Sequence, residues 1–152
     1  MPAVTAVPTF GCTCARLRKL TRRLTRIYDA HLAAKGIKVT QYSLLANAAR
    51  GERTLSEFAT ELDMDRSTLS RNLAPLAAQG WVRMSVGADP RSRSVSVTAA
   101  GRRKLKAALP LWRKAQCEIE AMLGTPGVRD LHRKIERALA ALPAGLSQGK
   151  PL

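Results

Sequence analysis

The chain has 152 residues, of which 45% are hydrophobic and 4% aromatic, so we expect one domain with a core of Leu, Ala and Val. No apolar run is long enough to span a membrane, no signal peptide is evident, and three cysteines do not suggest a secreted disulfide framework, so we expect a cytoplasmic protein with no membrane partner. The net charge of +15, with no Asp or Glu before Asp29 and none between Asp89 and Glu118, favours binding to a polyanion, chiefly nucleic acid or an anionic membrane surface.

The first part of the chain predicts two helices. Residues 1–11 are expected to be a disordered lead-in, and a long basic helix follows over residues 14–34. Its apolar stripe has helical spacing, and Gly36 is its expected C-terminal cap. Thr40 then begins a second helix, which ends at Gly51.

Two shorter helices with a break between them come next. The third helix starts at Thr54 or Leu55, and "DMD" at 63–65 ends it. Asp65 is a good N-cap for the fourth helix, which buries the stripe Leu69, Leu73 and Leu76. Its opposite face carries Arg and short hydroxyl side chains instead of the usual Glu and Lys. Pro75 is expected to bend its second half.

The pattern then changes from helix to strand. Gly80 ends the fourth helix, and "WVRMSV" and "RSVSVT" alternate apolar and polar residues around the turn-rich "GADPRSR". A two-stranded hairpin with a basic tip is therefore predicted. Thr98 opens a long helix to about Leu123, interrupted at Pro110. A turn over 125–127, a last helix from Val128 to about Leu142 and a disordered tail over 143–152 complete the prediction.

This order of elements predicts a mainly α (α+β) winged helix–turn–helix fold. The DNA-binding domain would span residues 37–98, and a helical dimerisation region would comprise residues 12–36 and 99–142. The basic fourth helix fits the major groove of DNA, which admits one α-helix. Exposed apolar stripes of this size usually mark an interface, and two are predicted in the last two helices: Leu105, Leu109, Trp112 and Ile119, and then Leu131, Ile135, Leu139 and Leu142.

Over about residues 12–142 the sequence resembles the MarR family of bacterial transcription regulators. The strongest signature is "GADPRSRSVSVTAAGRRKL", a D-x-R-x-R wing tip followed by an apolar strand and T-x-x-G. The segments "VTQYSLL" and "LDMDRSTLSRNLAPLAAQGWV" also resemble that family. The resemblance implies a homodimer, held by the first and last helices, that binds a pseudo-palindromic operator and usually acts as a repressor. A small ligand or an oxidant would release the DNA.

Eight residues are the expected DNA contacts. On the fourth helix we expect Ser67, Thr68, Ser70 and Arg71 to approach base edges or adjacent phosphates, with Arg71 able to bind guanine through two hydrogen bonds. Arg66, in the first turn, is expected to contact phosphate. By resemblance, Arg91 enters the minor groove and Asp89 orients it, which agrees with the attraction of Arg to a narrow minor groove. Arg93 is expected to touch phosphate.

Two kinds of effector site are considered. Cys12 and Cys14 lie at the N-terminal end of the first helix, where the helix dipole and nearby arginines favour a reactive thiolate. Family members that sense organic hydroperoxides have a Cys resembling Cys14 with Tyr partners. Tyr28 matches one of these, whereas the other position is Arg18 here. The alternative is that the cysteines, including a buried Cys117, only pack. A ligand cavity lined by Tyr42 and Trp112 would then bind an aromatic acid or phenol.

Nothing in the sequence suggests catalysis, a cofactor or a metal. Two histidines are too few for a convincing metal site, and neither a phosphate-binding loop nor a G-x-S-x-G elbow occurs. A thiol enzyme using Cys14 would need a base, and the nearest His, His31, lies more than about four helical turns away. The remaining alternative is a non-specific architectural or RNA-binding protein, although its usual Lys-rich disordered tails are absent.

Overall fold

The computed structural model describes residues 11–86 and 92–145. The described elements are α1 (Thr13–Leu32), α2 (Val39–Ala48), β1 (Arg53–Thr54), α3 (Leu55–Glu61), α4 (Arg66–Ala78), β2 (Val82–Val86), β3 (Arg93–Val97), α5 (Ala99–Leu123) and α6 (Thr125–Ala141). A 3-10 turn over Ala33–Lys35 continues α1. The predicted lead-in, except for residue 11, most of the tail and the wing tip lie outside the described residues. This is the predicted winged helix–turn–helix, mainly helical with a small antiparallel sheet.

The two ends of the α1 segment follow from capping. Cys12 is the N-cap, and its Sγ accepts a hydrogen bond from Ala15 N at 3.4 Å. Gly36 ends the 3-10 turn at φ 58°, a left-handed conformation that glycine adopts without steric cost. Helix α2 begins one residue before the predicted Thr40 and ends at Ala48, and the turn residues Ala49 and Arg50 connect it to Gly51.

Helices α3 and α4 form the predicted helix–turn–helix. Thr54 caps α3 through a capping box with Glu57, and Asp65 caps α4. Between them Asp63 has φ 50°, in the left-handed region that Asp tolerates better than bulky residues. The apolar stripe of α4 is fully buried. It packs in one core with Leu32, Leu45, Phe58 and Val95.

The sheet has three strands, one more than the sequence predicted. The order is β1-β3-β2, and both pairs are antiparallel. Strand β1 is only two residues long and pairs Arg53 with Val95 and Thr54 with Ser94. A two-residue strand has no alternation that a sequence pattern can reveal, so only the tertiary pairing defines it. The β2–β3 hairpin itself agrees with the prediction, with Val82 opposite Val97.

Thr98 joins the wing to α5. Its hydroxyl donates to the carbonyl oxygens of Gly80 at 2.6 Å and Trp81 at 3.1 Å, and it accepts from Gly101 N at 3.0 Å. Gly101 is buried directly against Trp81, and a Cβ at this position would overlap the Trp81 carbonyl oxygen. Trp81 N in turn donates to Leu76 O of α4 at 2.9 Å. The end of α4, the base of the wing and the start of α5 are therefore tied together.

Two expectations about the last helices were wrong. Helix α5 is not interrupted at Pro110 but continues through it to Leu123. The missing N–H of a proline removes one hydrogen bond, which α5 can tolerate because Ala108 and Ala115, before and after Pro110, are fully buried. The segment 125–127 is not a separate turn but the first turn of α6, with Pro126 in the first helical positions, where its fixed φ suits a helix start.

The apolar stripes of α5 and α6 have different environments. In α5, Ile119 is buried, and Leu105 and Trp112 pack against the core of the same chain, so this stripe is not left free as predicted. In α6, Leu139 and Leu142 are 57% and 66% exposed. Met122 at the end of α5 and Leu17 on α1 are also exposed. None of the helices in the described part of the chain has the length and apolarity needed to cross a membrane.

Candidate nucleic-acid interface

The outward face of α4 is the surface that carries the predicted DNA contacts. Arg66, Ser67 and Arg71 are exposed, while Thr68 and Ser70 are half-buried. Ser67 and Arg71 lie on the side of α4 opposite the buried stripe of Leu69, Leu73 and Leu76, and Thr68 and Ser70 flank that stripe. The fold thus presents the arginines and hydroxyls to solvent.

A hydrogen-bond network around Asp65 organises the first turn of α4. Oδ1 of Asp65 accepts from Thr68 N at 2.7 Å and from the Ser67 hydroxyl at 2.6 Å. Oδ2 accepts from the Thr68 hydroxyl at 2.7 Å. These hydrogen bonds, first those from the Ser67 and Thr68 side chains, lower the pKa of Asp65 well below its usual range. Asp65 is therefore a charged acceptor at neutral pH.

Arg71 lies one turn further along the same face. Its Nη2 donates to the Thr68 hydroxyl oxygen at 3.3 Å, a long bond that guides the guanidinium without using its other donors. Arg71 also lies at the edge of a cleft between α4 and the N-terminal helices. The remaining guanidinium donors could bind a guanine edge or a phosphate.

The wing is only partly described. Asp89 and Arg91, the two residues that the resemblance assigns to the minor groove, lie outside the described residues. Arg93 is exposed at the start of β3, opposite Val86. Next to it the Ser94 hydroxyl is 2.7 Å from the Ser85 hydroxyl and donates to Glu52 at 2.7 Å. These bonds join the two wing strands to the segment before β1.

Three aromatic side chains stack between the N-terminal helices and α5. The Trp112 ring is 6.0 Å from the Tyr28 ring and 6.1 Å from the Tyr42 ring, with interplanar angles of 25° and 16°. The Tyr28 hydroxyl donates to Gln116 at 2.5 Å. Burial raises the pKa of both tyrosines, and for Tyr28 the charge of Glu120 adds to this. Tyr42 and Trp112 are thus together, as expected, but in contact with each other.

A cleft of about 530 Å³ lies elsewhere, between α1, α2 and α4. Neither Tyr42 nor Trp112 lines it. Its wall combines apolar and polar side chains, among them Thr21, Thr25, Leu44, Leu62, Arg71 and Asn72. The cleft therefore adjoins α4 through Arg71, Asn72 and Pro75. No sequence pattern predicted it, because its wall comes from three helices.

The three cysteines are free and exposed in the described chain, so the expectation that Cys117 is buried was wrong. A helical apolar pattern does not fix which side of a long helix is covered, and Cys117 falls on the open side of α5. Cys14 and Tyr28 are both in α1, 14 residues apart, which is roughly 21 Å along the helix axis. One chain therefore does not bring the predicted thiol and its Tyr partner together.

His31 is not a base for Cys14. It lies in α1 about 25 Å along the axis from Cys14, and its Nε2 is 2.7 Å from Oε2 of Glu118 in α5. This pair joins α1 to α5. Among residues 11–86 and 92–145, no group of three or more His, Cys, Asp or Glu side chains is arranged to hold a metal ion.

Asp65 and Asn72 are the residues of this surface that the sequence did not single out. Asp65 was predicted only as a cap, although hydroxyl residues two and three positions after an Asp N-cap are within reach of its carboxylate. Asn72 is exposed beside Arg71 and lines the cleft. Nothing in its sequence context distinguishes it from a solvated helix residue.

Comparison with known proteins agrees with this architecture. A family profile described as MarR family matches residues 35–92. The crystal structure of the M. tuberculosis transcriptional regulator MosR in complex with DNA is 38% identical, covering 86% of this chain and 98% of that chain with a TM-score of 0.75. A second MosR structure is 34% identical, covering 88% of this chain and 98% of that chain with a TM-score of 0.70. No curated protein matches the chain.

A more distant structure shows the same fold. A mutant of E. coli MarR in complex with operator DNA is 23% identical, covering 82% of this chain and 92% of that chain with a TM-score of 0.73. The sequence identity and coverage of the two M. tuberculosis structures are high enough to show family membership as well as a shared fold. The chain belongs to the MarR family of transcriptional regulators.

Proposed function

We propose that the protein binds a pseudo-palindromic double-stranded DNA operator as a homodimer and represses transcription there. The observation that carries this proposal is the exposed Arg and hydroxyl face of α4, on a winged helix in a chain 38% identical to a regulator crystallised with DNA. In this proposal α4 enters the major groove, where Arg71 and the hydroxyl residues meet base edges and Arg66 meets phosphate. Arg91, oriented by Asp89, enters the minor groove, and Arg93 contacts phosphate.

The dimer proposal rests on the apolar residues that one chain leaves uncovered. Leu139 and Leu142 of α6, Met122 of α5 and Leu17 of α1 are exposed large hydrophobic side chains. Exposed large hydrophobic side chains often mark an interface, and in the proposed dimer a second copy would cover them. The dimerisation region would comprise residues 12–36 and 99–142, and the DNA-binding domain residues 37–98.

The test is selection of binding sites from random double-stranded DNA, followed by titration of the preferred site and a scrambled site at two salt concentrations. A sequence-specific regulator prefers its site by about a thousandfold or more, whereas phosphate contacts alone give equal affinity and a steep salt dependence. Enrichment of a two-fold symmetric sequence supports the proposal. Equal binding of both sites would favour the alternative of a non-specific nucleic-acid-binding protein. The net charge of +15 would then account for its binding to DNA.

For release from DNA we propose two alternatives, oxidation of an N-terminal thiol or binding of a small aromatic ligand. Cys12 and Cys14 are exposed near Arg16, Arg18 and Lys19, and exposure is what an oxidant requires. A thiolate would attack the hydroperoxide, giving a sulfenic acid and an alcohol. An aromatic acid or phenol could instead occupy the cleft beside Arg71, or separate the stack of Tyr42 and Trp112.

Four proteins distinguish the alternatives: the wild type, Cys12→Ser, Cys14→Ser and, as an exposed-thiol control on α5, Cys117→Ser. Each is bound to the selected operator and treated with an organic hydroperoxide or with a panel of aromatic acids and phenols. Thiol sensing predicts release of wild type and Cys117→Ser by peroxide, and loss of that release in Cys14→Ser or Cys12→Ser. Peroxide release in all four proteins, or in none, contradicts it. Release by an aromatic compound in all four supports the ligand alternative.

A further inference from the structure

The first turn of α4 contains two hydroxyl groups that both donate their protons in hydrogen bonds to Asp65. Oδ1 of Asp65 holds the Ser67 hydroxyl at 2.6 Å, and Oδ2 holds the Thr68 hydroxyl at 2.7 Å. A carboxylate has no proton to give, so both hydroxyls must donate towards it. Hydrogen bonds to a charged acceptor are also stronger than those between neutral groups. Towards solvent these two residues therefore present lone pairs and not protons.

Ser67 and Thr68 differ in whether their hydroxyl oxygens remain free to accept a further hydrogen bond. The Thr68 oxygen also accepts from Arg71 and is half-buried, so it serves mainly within the helix. Ser67 is exposed at the second helical position, in the N-terminal part of a recognition helix, which meets base edges in helix–turn–helix complexes. Ser67 is therefore an acceptor directed at whatever lies against α4.

An acceptor can bind only some groups on DNA. Phosphate oxygens, guanine N7 and O6, and thymine O4 are all acceptors, whereas cytosine N4 and adenine N6 carry donors in the major groove. Resting on the proposed function, we propose that Asp65 fixes the hydrogen-bonding polarity of Ser67, so that Ser67 binds an exocyclic amino group of cytosine or adenine. Asp65 is the positioning residue, and Ser67 determines specificity. Arg71, one turn away, can only donate hydrogen bonds and would therefore bind acceptors such as guanine O6 and N7.

Two substitutions of Asp65 separate this role from capping and from charge. Asn and Ser cap helices about as well as Asp, and both remove the same negative charge. In Asp65→Asn the amide oxygen must face Thr68 N, because that N–H can only donate. The amide oxygen therefore still accepts the hydrogen bond from Ser67. The amide NH₂ then faces the Thr68 hydroxyl. The shorter hydroxyl of Asp65→Ser accepts from Thr68 N and leaves Ser67 free to turn.

The chain contains a precedent for the effect of Asp65→Ser. Thr54 caps α3 through its hydroxyl, which accepts from Glu57 N at 3.2 Å, and Ser56 follows it at the same spacing as Ser67 follows Asp65. Within the described residues no hydrogen bond joins Ser56 to Thr54; the hydroxyl of Thr54 donates to Glu57 instead. A hydroxyl cap therefore does not hold the proton of a serine two residues later.

The experiment is site selection with the full-length wild type, Ser67→Ala, Asp65→Asn and Asp65→Ser, after thermal melts have shown that each is folded. The position read by Ser67 is the one where wild type and Ser67→Ala differ. We expect wild type and Asp65→Asn to prefer the same base pair there, contacted through the amino group of its cytosine or adenine. For Asp65→Ser we expect a preference weaker by about twofold to tenfold, the effect of one hydrogen bond. Replacing that base by an analogue without the amino group should weaken wild type by a similar factor and leave Ser67→Ala unchanged.

Any other result of this experiment contradicts one specific part of the proposal. Equal preferences in Asp65→Asn and Asp65→Ser, whether kept or lost, would show that Asp65 does not act through the Ser67 proton. Unchanged binding of wild type when the amino group is removed from the preferred base pair, or no difference between wild type and Ser67→Ala, would show that Ser67 does not read an amino group. A wild type that selects no sequence at all would instead remove the proposed function, and the inference with it.

Discussion

The winged-helix body (α2 to β3) and the helical arms (α1, α5 and α6) of this chain bury their apolar side chains in different ways. In the body, Phe58, Leu69, Leu73 and Leu76 are almost completely buried by neighbours in the same chain. In the arms, Leu17 on α1 and Leu139 and Leu142 on α6 remain largely exposed. A structure that leaves such residues uncovered usually does so at an interface. The body therefore buries its core within one chain, whereas in the proposed dimer the arms would complete their packing against a second copy.

The largest expected effect tests the self-sufficient body. Phe58→Ala should lower the free energy of unfolding by about 3–5 kcal/mol, because it removes a large buried ring and leaves a cavity. Leu139→Ala in α6 is the matched control and should cost much less per chain, since its side chain is 57% exposed. Urea unfolding at low protein concentration measures both. Equal losses of stability would remove the distinction between body and arms.

The second prediction tests the arms. Ile135→Asp should raise the dissociation constant of the dimer by roughly a hundredfold or more, since an unpaired charge in an apolar seam costs several kcal/mol. Ile135 is half-buried in α6, on the same stripe as Leu139. Sedimentation over a range of concentrations gives the dissociation constant, with Glu136→Asp, an exposed acid on another face, as the control. A monomeric wild type, or an unchanged dimer in Ile135→Asp, would contradict the dimer.

The third prediction concerns the part of the body that would read DNA. Arg71→Ala should weaken binding to the selected operator by about 1–3 kcal/mol and relax the preference at one position of each half-site. Arg93→Ala should weaken binding to all sequences about equally and reduce the salt dependence, as expected for a phosphate contact. Anisotropy titrations on the operator and on random DNA measure both. If Arg71→Ala weakens both DNAs by the same factor, its role as a base contact is wrong.

The smallest expected effect is a pH dependence at the start of α4. The pKa of Asp65 is lowered below its usual value of 3.8, so the folded state favours the charged carboxylate. Its contribution to stability is complete above about pH 5 and is lost as the pH falls through the folded-state pKa. Wild type should therefore lose slightly more stability than Asp65→Asn between about pH 5 and acid, which thermal melts against pH would detect.

Because Asp65 is fully exposed, solvent screens this contribution and the difference should be small. Asp63, an exposed acid two residues earlier, supplies a control through Asp63→Asn. If the Asp63→Asn and Asp65→Asn proteins have the same pH dependence, the hydrogen bonds at Asp65 do not act on stability as described.

Much of the fold follows from local sequence chemistry. Asp65, Thr54 and Thr98 are helix N-caps because short polar side chains satisfy the free N–H groups of a first turn. Gly36 and Gly80 end helices at positive φ. Alternation over β2 and β3 predicted the hairpin, and the strongest family signature covers β3 and the start of α5. These features depend only on residues close together in sequence, so the sequence alone determined them. It determined the Arg and hydroxyl face of α4 for the same reason.

Other features depend on contacts between distant segments, and only the tertiary structure decided them. Strand β1 exists because Arg53 meets Val95, and α5 passes through Pro110 because packing compensates for one lost hydrogen bond. The side of α5 that is open, and with it the exposure of Cys117, depends on how α1 and α6 pack on it. The committed protons of Ser67 and Thr68 also required coordinates, because a hydroxyl can either donate or accept until its partner is known.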